Sequence, residues 1–76
     1  MQSGLLWHDS SANALSLKIG RAIERYRERF GAAPNVCYVH PQQLPEGEQR
    51  IGEVAVRASE RVLLHHFWVG QEQPQG

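Results

Sequence analysis

Apolar positions recur at two periods along the chain, and the change of period divides it. Leu5-Leu6-Trp7-His8 is a short apolar run and reads as a strand. From about Ala12 to Phe30 the period turns helical, with Leu15, Ile19, Ala22, Ile23, Tyr26 and Phe30 three or four residues apart. At about 100° per residue these fall on one core-facing stripe. Asp9, Ser10, Ser11 and Asn13 precede the stripe. Any of them can cap a helix by accepting from an early backbone N–H. Gly31 is suited to the left-handed conformation that ends a helix, and Pro34 agrees with a stop there.

Beyond the helix the strand period returns. Residues 35–40 (Asn-Val-Cys-Tyr-Val-His) are rich in strand formers, and Pro41 ends that run. Residues 42–50 hold Pro45, Gly47 and several polar side chains, which reads as a loop. Residues 51–58 predict a strand, 59–61 a short connection and 62–71 a last strand paired with it as a hairpin. The polar tail 71–76, with Pro74 and Gly76, is expected to fray. The order β-α-β-β-β predicts a single α+β domain over 1–76. One amphipathic helix packs on one face of a mixed four-stranded sheet. The first strand–helix–strand unit is expected to be a parallel crossover.

One helix leaves the second sheet face bare. The last strand is apolar on both sides: Leu63, Phe67 and Val69 alternate with Leu64 and Trp68. A strand wetted on one face alternates apolar with polar. The expectation is therefore an interface on the sheet face opposite the helix, built from Leu64, His66, Trp68 and Trp7, with Tyr38 adding to it. Exposed apolar patches mark docking surfaces, and Trp is enriched among binding anchors.

Composition supports a small soluble domain in need of help. The chain has 76 residues, 41% hydrophobic and 21% charged. A chain of this size buries only about 60% of its unfolded surface, so oligomerisation is the expected extra support. A single cysteine, Cys37, excludes an internal disulfide and any zinc site built on several thiolates. No run approaches the roughly 20 apolar residues of a membrane span. The first residues lack a basic region followed by a long apolar run, so a cytoplasmic location is expected.

Eight basic residues balance eight acidic ones, but unevenly. The helical region carries five basic residues against two acidic, and the remainder three against six. Lys18, Arg21, Arg25 and Arg29 form one basic stripe, which gives the alternative of a nucleic-acid-binding accessory protein. Pairs such as Arg25 and Glu28, three apart, offer a structural explanation for the same charges.

Four histidines raise a ligand or metal alternative. His8 and His40 end two strands that the crossover makes parallel, and Asp9 lies beside the helix start. Ligands favour such strand ends in α/β sheets. The residue pattern argues for no metal and no cofactor. There is no glycine-rich phosphate loop and no His pair at helical four-residue spacing. His65 and His66 are adjacent on a strand and point apart. No catalytic residue is assigned, and an enzyme is not expected. Residues 25–31, 35–41 and 65–70 resemble pieces of small bacterial proteins, a likeness that implies no activity and carries no functional residue. The reading is a non-enzymatic interaction module, homodimeric or an accessory subunit, docking through the bare sheet face.

Overall fold

A computed structural model describes residues 4–72 as one helix against a mixed five-stranded sheet, an α+β fold. The elements are β1 (Gly4–His8), α1 (Leu15–Phe30), β2 (Val36–Val39), a 3₁₀ turn (Pro41–Gln43), β3 (Gln49–Ile51), β4 (Val54–Ala58) and β5 (His66–Gly70). The sheet order is β1-β5-β2-β4-β3. β5 runs antiparallel to both β1 and β2, and β4 runs parallel to β2. The β1–α1–β2 unit therefore joins two strands of the same direction, as expected, but β5 is inserted between them.

The strand count differs from expectation because one expected strand is two. Ile51 pairs with Val54 across Gly52-Glu53, and Gly52 has φ 60°. A positive φ at the first of two turn residues matches a tight type II′ hairpin. The chain doubles back there, and Gln49–Ile51 becomes the edge strand β3. The expected hairpin between the last two strands is absent, because β4 pairs with β2 and β3 rather than with β5. The last strand begins at His66, not Val62. Residues 59–65 instead cross the end of β2. Their path is fixed by Ser59 N–H donating to Val39 O (2.8 Å), Val62 N–H to Ser59 O (3.2 Å) and His66 N–H to Leu63 O (3.0 Å).

The helix starts three residues later than expected. Ala14 occupies its N-cap without a side-chain bond. The polar residues before it bond among themselves: Ser11 N–H donates to Asp9 Oδ1 (2.9 Å) and Asn13 N–H to Ser11 Oγ (3.4 Å). Asp9, Ser11 and Asn13 thus shape the approach loop. At the other end Gly31 takes φ 70° and donates to Arg27 O (2.9 Å), the expected stop.

Strand alternation and the register sort side chains onto two faces. Leu5, Val69, Cys37 and Val56 form one row on the helix side, and Trp7, Phe67, Val39 and Ala58 the next. Ile19, Ala22 and Tyr26 from α1 close over these rows, and Phe67, Val39, Val56, Val69 and Cys37 are fully buried. Burial of each large side chain contributes about 1.5–3 kcal/mol. Phe30, expected in the stripe, is exposed against Tyr26, with ring centroids 4.5 Å apart. Among the described residues no helix is long and apolar enough to cross a membrane.

Of the tail expected to fray, Gln71 and Glu72 make hydrogen bonds to the residues before β2. Asn35 and Glu72 exchange two bonds, Asn35 Nδ2 to Glu72 O (2.8 Å) and Glu72 N–H to Asn35 Oδ1 (2.7 Å). Gln71 Nε2 donates to Ala33 O (2.7 Å). The rest of that expectation, residues 73–76, lies outside the described residues.

Candidate docking face

The sheet face away from α1 carries a row of Leu6, Trp68, Tyr38 and Arg57, one residue from each of β1, β5, β2 and β4. A groove of about 710 Å³ opens over this row, lined by Leu6, Tyr38, Ser59, Arg61, Val62, Leu63, His66 and Trp68. Its floor is sheet, and one wall is the 59–65 crossing. Leu6 and Leu63 are 62% and 70% exposed, high for leucine. Trp68 and Tyr38 stand with ring centroids 5.9 Å apart at 44°.

Gly4 lets Trp68 lie flat. A Cβ at Gly4 would sit 2.3 Å from Trp68 Cε2 and Cζ2, so the indole covers the bare glycine backbone. Trp68 is half-buried and lines the groove.

A polar network borders the aromatic row. Tyr38 OH donates to Glu72 Oε2, and Arg57 Nη1 to Glu72 Oε1 at 2.8 Å. Arg57 Nε also meets Glu48 Oε1 at 3.3 Å. The bond to Glu72 holds the Tyr38 phenol above its ordinary pKa, with burial adding and Arg57 opposing. Bonds to Tyr38 and then Glu48 hold the Arg57 guanidinium above its own. Two acids surround Arg57, so the row ends in a cluster with one more acid than base rather than a free cation.

The expected interface residues divide. Trp68 and His66 line the groove. Leu64 is 40% exposed in the turn before β5 but lies outside the lining. Trp7 is on the other face, because it pairs with Phe67 and packs on the helix-side core. Its Nε1 is enclosed with no acceptor among the described residues, so its polar tip is not offered outward. One step along β1 separates Trp7 from the bare face, and Leu6 takes that place. The signal was the pairing of Leu6 with Trp68, which strand order reveals and periodicity does not. Ser59, Arg61 and Val62 come from the 59–65 crossing, which the sequence pattern predicts as a connection and the start of a strand.

The basic helix stripe loses its first member. Lys18 is only 6% exposed, with its stem in the core side of α1. Arg21, Arg25 and Arg29 are exposed, and Arg25 pairs with Glu28 at 3.5 Å.

His8 and His40 do lie at one end of the sheet, as expected from parallel β1 and β2. Their local bonds point elsewhere. His40 Nδ1 accepts from Gln42 N–H (3.1 Å) and caps the 3₁₀ turn. His8 leans on His66, with ring centroids 4.8 Å apart. Asp9 is held below the ordinary carboxylate range by its bonds to Ser11. No group of three or more His, Cys, Asp or Glu among the described residues is placed to hold a metal ion.

No protein-family model, curated protein or solved structure matches this chain. The functional reading is drawn from its own residues.

Proposed function

We propose that the chain is a non-enzymatic interaction module, working as a homodimer or accessory subunit, whose sheet face opposite the helix docks an apolar segment of a protein partner. The observation that carries this is the exposure of Leu6 and Leu63 beside Trp68 and Tyr38 in a single groove. Exposed leucines beside a half-buried Trp are favourable to cover and costly to leave wet. Arg61 and His66 are the basic side chains of the lining, and among the described residues no carboxylate lines it. The groove thus suits an apolar segment flanked by acidic residues. The lone buried thiol of Cys37 suits action in a reducing cytoplasm.

The test is selection of binding peptides from a random displayed library, followed by titration against variants. Selected peptides are expected to combine Leu, Ile or Phe with Asp or Glu. They should lose at least about tenfold in affinity on Trp68→Glu, as expected for an anchor residue, while Leu17→Glu on the exposed helix leaves binding unchanged. Peptides that bind Trp68→Glu as well as wild type, or a library that yields no binder, would remove this reading.

A further inference from the structure

β1 is the outermost strand on its side of the sheet, and the direction of its backbone bonds can be assigned. Asp9 N–H donates to His65 O at 3.0 Å, on the same register that pairs Trp7 with Phe67 and Leu5 with Val69. Antiparallel pairs alternate between bonded and non-bonded. Leu5 and Trp7 therefore turn their backbone groups toward β5, and Gly4, Leu6 and His8 turn theirs outward.

The two edges of the sheet differ. β3 is three residues long, carries Arg50 and follows Glu48, features that discourage strand addition. β1 is Gly-Leu-Leu-Trp-His, five residues with no Lys, Arg, Asp, Glu or Pro. Nothing in its composition blunts that edge.

We infer that β1 pairs with β1 of a second copy, antiparallel, about a two-fold axis at Leu6. The outward residues are spaced symmetrically around Leu6, so the strand is complementary to itself in one register. Leu6 meets the partner's Leu6, and Gly4 meets the partner's His8 and the reverse. These are the outward-bonding residues on both strands, so each pair can exchange both N–H···O bonds. On the helix side Leu5 lies against the partner's Trp7. Every opposed pair is free of like charge, and each His8 faces a glycine. A second copy supplies Leu6 on the bare face and Leu5 and Trp7 on the helix side, so the apolar residues of β1 are matched on both faces.

The pairing also completes the docking face. Leu6 lines the groove at its β1 side and is 62% exposed. With the partner's Leu6 beside it, two grooves meet in one trough across a continuous sheet. The inference stands on the edge, not on the groove, and the two are tested by different residues.

The experiment is sedimentation equilibrium on wild type, Leu6→Lys, Leu6→Glu and their equimolar mixture. Wild type is expected to dimerise. Each single variant places like charges opposite each other at the axis and should weaken the dimer by about tenfold, combining the lost Leu pair with the repulsion. Mixed together, the two variants oppose Lys to Glu and should form a heterodimer. That rescue also shows that both variants fold. Trp68→Glu should leave the dimer intact while abolishing peptide binding. On wild type alone, amide exchange at Leu6 and His8 should slow as concentration rises, and exchange at Arg50 should not. A wild type that stays monomeric, single variants that dimerise as well as wild type, a mixture that shows no rescue, or a dimer lost with Trp68→Glu would each overturn the inference.

Discussion

Gly4→Ala probes the geometry on which the docking face depends. The new Cβ would lie 2.3 Å from two carbons of the Trp68 indole. Ordinary carbon contacts are about 3.5–4.0 Å. The ring or the strand must therefore shift by more than about 1 Å. Two effects compete. Replacing a strand glycine by alanine restricts the unfolded chain and favours folding by about 0.5–1 kcal/mol. Forcing a side chain out of a packed position costs about 1–3 kcal/mol. The clash wins by about 1 kcal/mol, because the contact is with the rigid fused rings of the indole rather than the tip of a flexible side chain. For a domain of this size that lowers Tm by about 4–8 °C. Thermal unfolding followed by circular dichroism reads the Tm. Emission in a Trp7→Phe background reads Trp68 alone, and its maximum should move to longer wavelength as the ring swings into water. An unchanged Tm with unchanged emission would refute the packing of Trp68 on Gly4. A higher Tm would show that the glycine is only an entropic cost.

Two further outcomes follow from the same contacts. Burial pushes the Cys37 thiol up to about 12, so iodoacetamide should leave it unmodified in the folded protein at pH 8 and label it quickly in denaturant; rapid labelling of folded protein would contradict its place in the core. The raised Tyr38 pKa means that the folded state keeps the phenolic proton after the unfolded state has lost it. Its contribution to stability is therefore whole below the ordinary value near 10 and falls away as pH rises through that value to the folded one. Phenolate absorbance, taken as the difference between wild type and Tyr38→Phe, should appear at lower pH in Glu72→Gln, and an unmoved titration would remove Glu72 as the cause.

The helix was legible because period and stop signal agree: the Ile19, Ala22, Tyr26 stripe is what packs, and Gly31 is what ends it. Its start was not, since four polar residues between positions 9 and 13 offered four caps. The Asp9 and Ser11 side chains accept instead from the backbone N–H groups of Ser11 and Asn13, and Ala14 takes the cap. The missing strand was visible as Gly52 between Ile51 and Val54, a turn residue at a two-residue spacing, but the apolar run on either side masked it. Strand order was not legible. Pairing β5 between β1 and β2 depends on distant contacts that local patterns do not encode. The consequence fell on the site. Trp68 was placed from the excess of apolar residues in the last strand, but its neighbour on β1 could be Leu6 or Trp7 until the register chose Leu6. Glu72 was hidden in a tail that composition marks as polar, and its role depends on Tyr38 of β2, Arg57 of β4 and Asn35 just before β2 meeting it.

Backbone amide mapping by NMR, with a selected acidic-apolar peptide titrated into the labelled chain, tests the docking face most directly. Shifts are predicted at Leu6, Tyr38, Val62, Leu63 and Trp68, with Leu17, Arg21 and Arg25 unmoved. Shifts concentrated on α1, with the groove residues unmoved, would contradict the reading.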